Sequence, residues 1–314
     1  QRKLSYLKKA DCLLAISESS RNEGLDYLNT PSERIVNISS AADTFFDDLA
    51  PKSDIKQLHQ RLSITKPFVL YTGGADPRKN LKRLLQAFAQ LDPATRNEHQ
   101  LVLAGRIDSS EMPDLLKTLE SYHLSSENIV FVDYISDEDL QTLYFTCKLF
   151  ILPSWHEGFG LPALEAMKSG AAVIGSNTSS IPEVIQNADA LFDPLSIESI
   201  SQKIEEALSN PELLNSLKLS GKKNAGQFSW DLCAQRAIAT FEKVHFKKIS
   251  ARTEANWPNL LAKKIIELPF QPSNEQLIAL SACLAQNFPS PPKEMQLLID
   301  VSELNKRDAK TGID

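Results

Sequence analysis

From Lys66 onward, short apolar runs and amphipathic stretches follow one another in regular alternation. PFVLYTGG leads through ADPRKN into LKRLLQAFAQL, where Leu81, Leu84, Leu85 and Phe88 recur at i, i+3, i+4 and i+7, the spacing of one helix face. The apolar runs QLVLAGR (Gln100 to Arg106), NIVFVDYI (Asn128 to Ile135), KLFILP (Lys148 to Pro153) and AAVIGS (Ala171 to Ser176) come next. Helical stretches separate them: one within Met112 to His123, one from Glu138 to Cys147 behind the cap sequence SDEDL, and one starting near Leu161. A helix-length crossover returns the chain to the end of the sheet where the previous strand began, so such strands pair in parallel. The expected fold class is α/β, a doubly wound parallel sheet with helices on both faces and ligands at the carboxyl ends of its strands. ALFDP (Ala190 to Pro194) reads as a further short strand and turn. Helices over Ile197 to Ser209, Pro211 to Gln227 and Trp230 to Lys247 close the domain.

Two of the predicted strand ends carry chemistry. After KLFILP comes WHEGFGLPALEAMKSG, with Glu157, Gly158, Gly160, Pro162 and Glu165 in one tight run. Pro162 suits the first turn of a helix, whose unpaired N–H groups and positive dipole end make a phosphate site. Gly158 and Gly160 let a ligand approach the backbone, and carboxylates before and inside the helix can take different hydroxyls of one polar ligand. Phosphate on amides with hydroxyls on carboxylates points to a sugar nucleotide. After PFVLYT comes GGADPRKN, where Gly73 and Gly74 are followed by Arg78 and Lys79, a pair of cations suited to a diphosphate. GFGLPA also satisfies G-x-G-x-x-A, the dinucleotide fingerprint. That pattern belongs to an early βαβ unit with an acid about 20 positions on, whereas here it follows a late strand.

The spacing from Glu157 to Glu165, EGFGLPALE, resembles the E-x7-E motif of the GT-B retaining glycosyltransferases of family 4, also called glycosyl transferases group 1. The resemblance implies the Rossmann-like, nucleotide-sugar-binding C-terminal domain of a metal-independent enzyme without a cofactor. UDP or GDP would leave as an acceptor hydroxyl attacks the anomeric carbon. It gives Glu157 a hydroxyl of the donor sugar, the backbone amides of Gly158, Phe159, Gly160 and Leu161 the phosphates, and Glu165 the ribose. Val132, Tyr134 and Ile135 match the place where the family holds the base, and Lys79 the place of a phosphate-binding lysine. The family's helping arginine, just after the glycine of that strand, is replaced here by Gly74. Either Arg78 substitutes for it or the pocket is weaker. Arg78, Lys79 and Glu157 are thus the expected catalytic residues and no metal ligand is assigned.

The outer parts of the chain read differently. Within residues 1–48, ADCLLAIS (Ala10 to Ser17) and RIVNIS (Arg34 to Ser39) read as strands around a helix from Glu18 to Leu28, with Ser17 or Ser19 as its cap. By resemblance this is the remnant of an acceptor-binding N-terminal domain, with residues 49–248 as the donor domain. Residues 249–314 read as linker, one helix from Glu275 to Gln286 and the start of a following domain, so the expectation is an internal piece of a tandem enzyme that binds nucleotide but transfers little sugar alone. The expected partners are a nucleotide sugar, a glycan or lipid-linked acceptor, and neighbouring domains of a longer chain. A net charge of −6 argues against nucleic acid. Four scattered cysteines, Cys12, Cys147, Cys233 and Cys283, fit reduced thiols, and no run is apolar enough to span a membrane. The expected location is therefore cytoplasmic, with any peripheral membrane association resting on parts outside this chain. Arg106, at the end of QLVLAGR, reads either as facing the ligand or as a surface charge, whereas His156, Trp155, the pair Asp47 and Asp48, and SSIPEV (Ser179 to Val184) read as loop, rim or structural residues. The rival readings are a non-glycosylating enzyme on the same scaffold, such as an epimerase or phosphorylase, and a non-catalytic tandem module.

Overall fold

The computed structural model describes residues 2–125, 127–254, 263–267 and 272–287. Its strands are β1 (Leu13–Ala15), β2 (Ile35–Asn37), β3 (Phe68–Thr72), β4 (Gln100–Ala104), β5 (Ile129–Val132), β6 (Leu149–Leu152), β7 (Val173–Ser176) and β8 (Leu191–Phe192). The helices up to β6 are α1 (Arg2–Lys9), α2 (Glu18–Leu28), α3 (Ile55–Arg61), α4 (Leu81–Ala89), α5 (Pro93–Glu98), α6 (Met112–Ser121) and α7 (Asp137–Thr146). After β6 come α8 (Leu161–Lys168), α9 (Ile181–Ile185), α10 (Ile197–Ser209), α11 (Pro211–Ala225) and α12 (Trp230–Glu254).

Residues 1–247 form one compact unit and residues 248–314 another. In the first, six parallel strands lie in the order β5-β4-β3-β6-β7-β8, and β1 and β2 form a separate parallel pair. Every residue of β3, β4, β6 and β7 is buried, which is why these strands are apolar on both faces. Leu84, Leu85 and Phe88 of α4 are fully buried, as their spacing predicts. Each such side chain contributes about 1.5–3 kcal/mol when taken from water, so the helices packed on the sheet add substantially to its stability. In the second unit one described helix runs over Asn274–Asn287. The start of a following domain, expected at the end of the chain, lies outside the described residues.

The differences from expectation have local causes. The strands expected to reach Gly74, Arg106 and Ile135 stop at Thr72, Ala104 and Val132. Gly73 and Gly105 take φ of 138° and 135°, which turns the chain out of the sheet at the first two. The helix expected to end at Lys247 continues to Glu254, because no glycine or proline lies between Trp230 and Glu254. The strand expected over Ala10 to Ser17 is only Leu13–Ala15, and α1 precedes it. Ser17 does cap α2, accepting a hydrogen bond from the Ser20 amide.

Candidate functional site

The chain leaves β3 toward β4 and β5 on one side, then returns to β6 on the other. The carboxyl ends of β3 and β6 therefore flank a topological switch point, where an open α/β sheet leaves a crevice. The two loops that rise there are tied together. The Trp155 amide donates to the Arg78 carbonyl (3.0 Å) and Trp155 Nε1 to the Pro77 carbonyl (3.1 Å). Asn80, in the left-handed region at φ 64°, anchors the end of the first loop through Nδ2 to the carbonyls of Pro153 (3.0 Å) and Pro194 (2.7 Å).

On this frame Arg78, Lys79 and Glu157 meet. Lys79 Nζ lies 2.7 Å from Glu157 Oε1, and Arg78 Nη1 lies 3.5 Å from Glu157 Oε2. The glutamate is buried at 7% exposure, so its charge is held by these cations rather than by water. Asp76 orients the short turn beneath them by accepting from the Arg78 amide (3.0 Å). Beside the pair, Gly160 leads into α8 with a φ of 109° that needs glycine, and no side chain caps the helix. The backbone from Gly158 to Leu161 thus reaches the helix start without a capping side chain beside two cations. Phe159 contributes only backbone there, since its side chain is buried edge-to-face on Phe228.

Glu165 occupies the same helix one turn in, but belongs to a different chain of contacts. Tyr144 donates to Glu165 Oε2 (3.0 Å), and Thr72 Oγ1 lies 2.9 Å from the Tyr144 hydroxyl. Burial pushes the Glu165 carboxyl up to about 7; Asp137 and Asp43 add to the rise, and the Tyr144 hydrogen bond opposes it. Tyr144 and Thr72 are buried polar residues that the sequence reading missed, since a tyrosine inside an amphipathic helix carries no mark of its partner.

Val132, Tyr134 and Ile135 stand apart from the charged cluster. They line a groove of about 810 Å³ along the edge strand β5, together with Asp133, Ser136 and Arg61. The Val132 side chain is buried, which leaves its backbone, whereas Tyr134 is exposed. β5 is three strands from β6, about 14 Å across the sheet at the usual spacing. Arg106 is exposed, and Gly74 lies against its carbonyl. His156 lies 3.0 Å from Glu23 of α2 and Trp155 sits on the rim, as loop and rim readings expect. Asp47 and Asp48 pair with Lys168 and Lys52, which accounts for both acids.

The serines of SSIPEV have a structural part, holding the backbone of the loop that carries Glu157. Ser179 Oγ donates to the Glu157 carbonyl (2.6 Å) and accepts from its amide (3.1 Å). Ser180 Oγ bonds the carbonyls of Glu157 (2.9 Å) and Phe159 (2.8 Å).

Comparison with known proteins fits this geometry. The family described as glycosyl transferases group 1 matches residues 54–224. The serotype-specific mannosyltransferase WbdA of Escherichia coli is 34% identical over 315 residues, which is 99% of this chain and 37% of that protein. O-antigen chain mannosyltransferase B of Escherichia coli is 34% identical over 236 residues, 75% of this chain and 61% of that protein. The chain thus spans little more than a third of the length of WbdA. Among solved structures, HepE of Anabaena in complex with UDP and glucose superposes with a TM-score of 0.65 at 21% identity, covering 74% of this chain and 63% of that one. The lipopolysaccharide glycosyltransferase WaaG gives 0.60 at 18% identity, covering 73% of this chain and 61% of that one. These likenesses show a GT-B glycosyltransferase fold. The family match contains the six-stranded sheet and both loops at its switch point, so the chain belongs to the glycosyl transferases group 1 family.

Proposed function

We propose that residues 49–248 are the donor-binding domain of a retaining, metal-independent glycosyltransferase that takes a sugar from UDP or GDP and passes it to a glycan or lipid-linked acceptor. The names of its relatives make mannose the sugar to try first. The observation that carries the reading is the Lys79–Glu157 pair beside the uncapped start of α8, at the switch point of the sheet. In this reading the diphosphate rests on the amides of Gly158 to Leu161 with Lys79 and Arg78 beside it, so growing charge on the leaving phosphate meets fixed positive groups. Glu157 takes a donor-sugar hydroxyl, Glu165 the ribose and the Val132 to Ile135 groove the base. Residues 1–48 contribute part of an acceptor domain.

Calorimetry with UDP, GDP, ADP, UDP-glucose and GDP-mannose tests this. Binding of one uracil or guanine series is expected, unchanged by EDTA because side-chain cations and helix amides supply the positive charge. If none of the five binds, a non-catalytic module becomes the better account.

Glu165 adds a pH signature. If ribose hydroxyls donate to its carboxylate, protonation removes an acceptor. Affinity for the nucleotide sugar should then fall as pH drops below about 7, by up to about tenfold per unit. The ligand-free protein should show the opposite trend. The folded carboxyl titrates above its ordinary value of 4.5, so the folded state holds more protons between there and about 7, and stability falls as pH rises through that window. Glu165→Gln should flatten both profiles while raising the melting temperature at pH 8. A pH-independent affinity in the unsubstituted protein would remove Glu165 from the ribose site.

A further inference from the structure

We propose that Ser17 and Ser20, on the N-terminal βαβ segment, are positioning residues that aim the donor-loop amides, so that the amide cradle is complete only while that segment is docked on the loop. This rests on the donor reading above. Three successive carbonyls of the loop are held by serine hydroxyls. Ser179 and Ser180 hold Glu157, Ser180 also holds Phe159, and between them Ser17 Oγ (2.7 Å) and Ser20 Oγ (3.0 Å) both donate to the Gly158 carbonyl.

A trans peptide points its N–H opposite its C=O, so fixing a carbonyl fixes the direction of the next residue's amide. With Glu157 and Phe159 converging on Ser180, the amides of Gly158 and Gly160 are turned away from α9. The Phe159 amide is turned away from α2 by Ser17 and Ser20. Glycine at 158 leaves this peptide free to rotate, and a hydroxyl clamp is what gives it one orientation.

The clamp comes from another part of the chain, and its docking has a second hold. Glu183 of α9 accepts from the Glu18 and Ser19 amides at the start of α2, both at 2.7 Å. These are first-turn amides at the positive end of a helix, where a carboxylate is favoured. Ser17 itself is buried at 1% exposure, so its hydroxyl has no water to fall back on.

The test measures affinities of the full chain for UDP-glucose and GDP-mannose by calorimetry and for uridine and guanosine by ligand-observed NMR. Ser20→Ala removes one donor and leaves the Ser17 cap intact. The double variant Ser17→Ala/Ser20→Ala removes both donors. Nucleotide-sugar affinity should fall about fivefold in the first and about thirtyfold in the second, from one and two lost hydrogen bonds to the Gly158 carbonyl, with nucleoside affinity unchanged. Ser17→Thr, which keeps hydroxyl and cap, should bind like the unsubstituted protein. Should the double variant fail to fold, Ser20→Ala alone decides, through a loss of about fivefold in nucleotide-sugar affinity with nucleoside affinity unchanged. Equal losses for nucleoside and nucleotide sugar would mean a general structural role and would overturn the inference. So would full nucleotide-sugar affinity in the serine variants while Lys79→Ala loses it. If the unsubstituted chain binds no nucleotide sugar, the donor reading itself fails and takes the inference with it.

Discussion

Replacing Lys79 with alanine is expected to lower affinity for the nucleoside diphosphate about a hundredfold, the equivalent of about 2.7 kcal/mol. It should also destabilise the ligand-free protein by about 3 kcal/mol, the low end for stripping a buried charge of its partner. Two effects add in the binding loss. The ammonium that would meet the phosphate is gone, and Glu157, at 8% side-chain exposure, is left with only the Arg78 guanidinium at 3.5 Å. An under-compensated carboxylate at that place repels a diphosphate. Glu157→Gln separates the two. It keeps the shape and releases Lys79 from its 2.7 Å pair, so the diphosphate alone should bind as well as before or several times more tightly. What the glutamine variant should lose is the extra affinity a nucleotide sugar has over its diphosphate, because the charged acceptor for a sugar hydroxyl is missing. If Glu157 serves the sugar and Lys79 the phosphate, calorimetry shows diphosphate affinity lost in Lys79→Ala and kept or raised in Glu157→Gln. Equal losses of diphosphate affinity in the two would refute that division of labour.

The contrast between these neighbours shows what a sequence can and cannot disclose. Arg78, Lys79 and Glu157 were legible because each sits within a few residues of a predicted strand end, and a parallel sheet brings all its carboxyl ends to one edge. The order of the strands was not legible. Nothing in the chain says that β6 pairs with β3 and not with β5, yet that pairing is what sets the two loops side by side. Glu165 was assigned from its spacing in the motif, but its partner Tyr144 lies 21 residues earlier and on another helix. Helix periodicity places Tyr144 on a buried face without saying what its hydroxyl meets. The serines around Gly158 were hidden for the same reason, since Ser17 reaches across 141 positions. A serine before a helix looks like a cap, and Ser17 is one; the hydroxyl proton it has left over goes to a loop that only the folded chain brings near. The short helices α3 and α5 escaped because one cap residue each, Asp54 and Asp92, is their main signal.

Gly105 was passed over in favour of its neighbour Arg106, and it governs the second large effect. Gly105→Ala should destabilise the protein by about 3 kcal/mol or more, combining the strain of a side chain at positive φ with overpacking against a rigid neighbour. The added Cβ would lie 2.4 Å from the Gly73 carbonyl oxygen and 2.9 Å from its carbon, and φ is 135°. No rotamer relieves a clash between a Cβ and backbone. Gly73 is itself held on β4 by its amide to the Ala104 carbonyl at 2.9 Å, so the collision pushes on a peptide that is already tied. In a compact unit of this size such a loss lowers the melting temperature by about 6–12 °C. Donor binding should suffer even where the variant stays folded, because Gly73 begins the loop that delivers Arg78 and Lys79. Gly226→Ala is the matched control. Gly226 has helical φ of −63°, and its Cβ would meet nothing nearer than 3.5 Å, so that change should stay within about 1 kcal/mol and be neutral or stabilising. Thermal melts of the two alanine variants, followed by nucleotide titration below their transitions, decide the matter. A Gly105→Ala protein that melts with Gly226→Ala and binds nucleotide normally would show that the β3 and β4 loop ends are not packed as described, and with them the platform on which Lys79 stands.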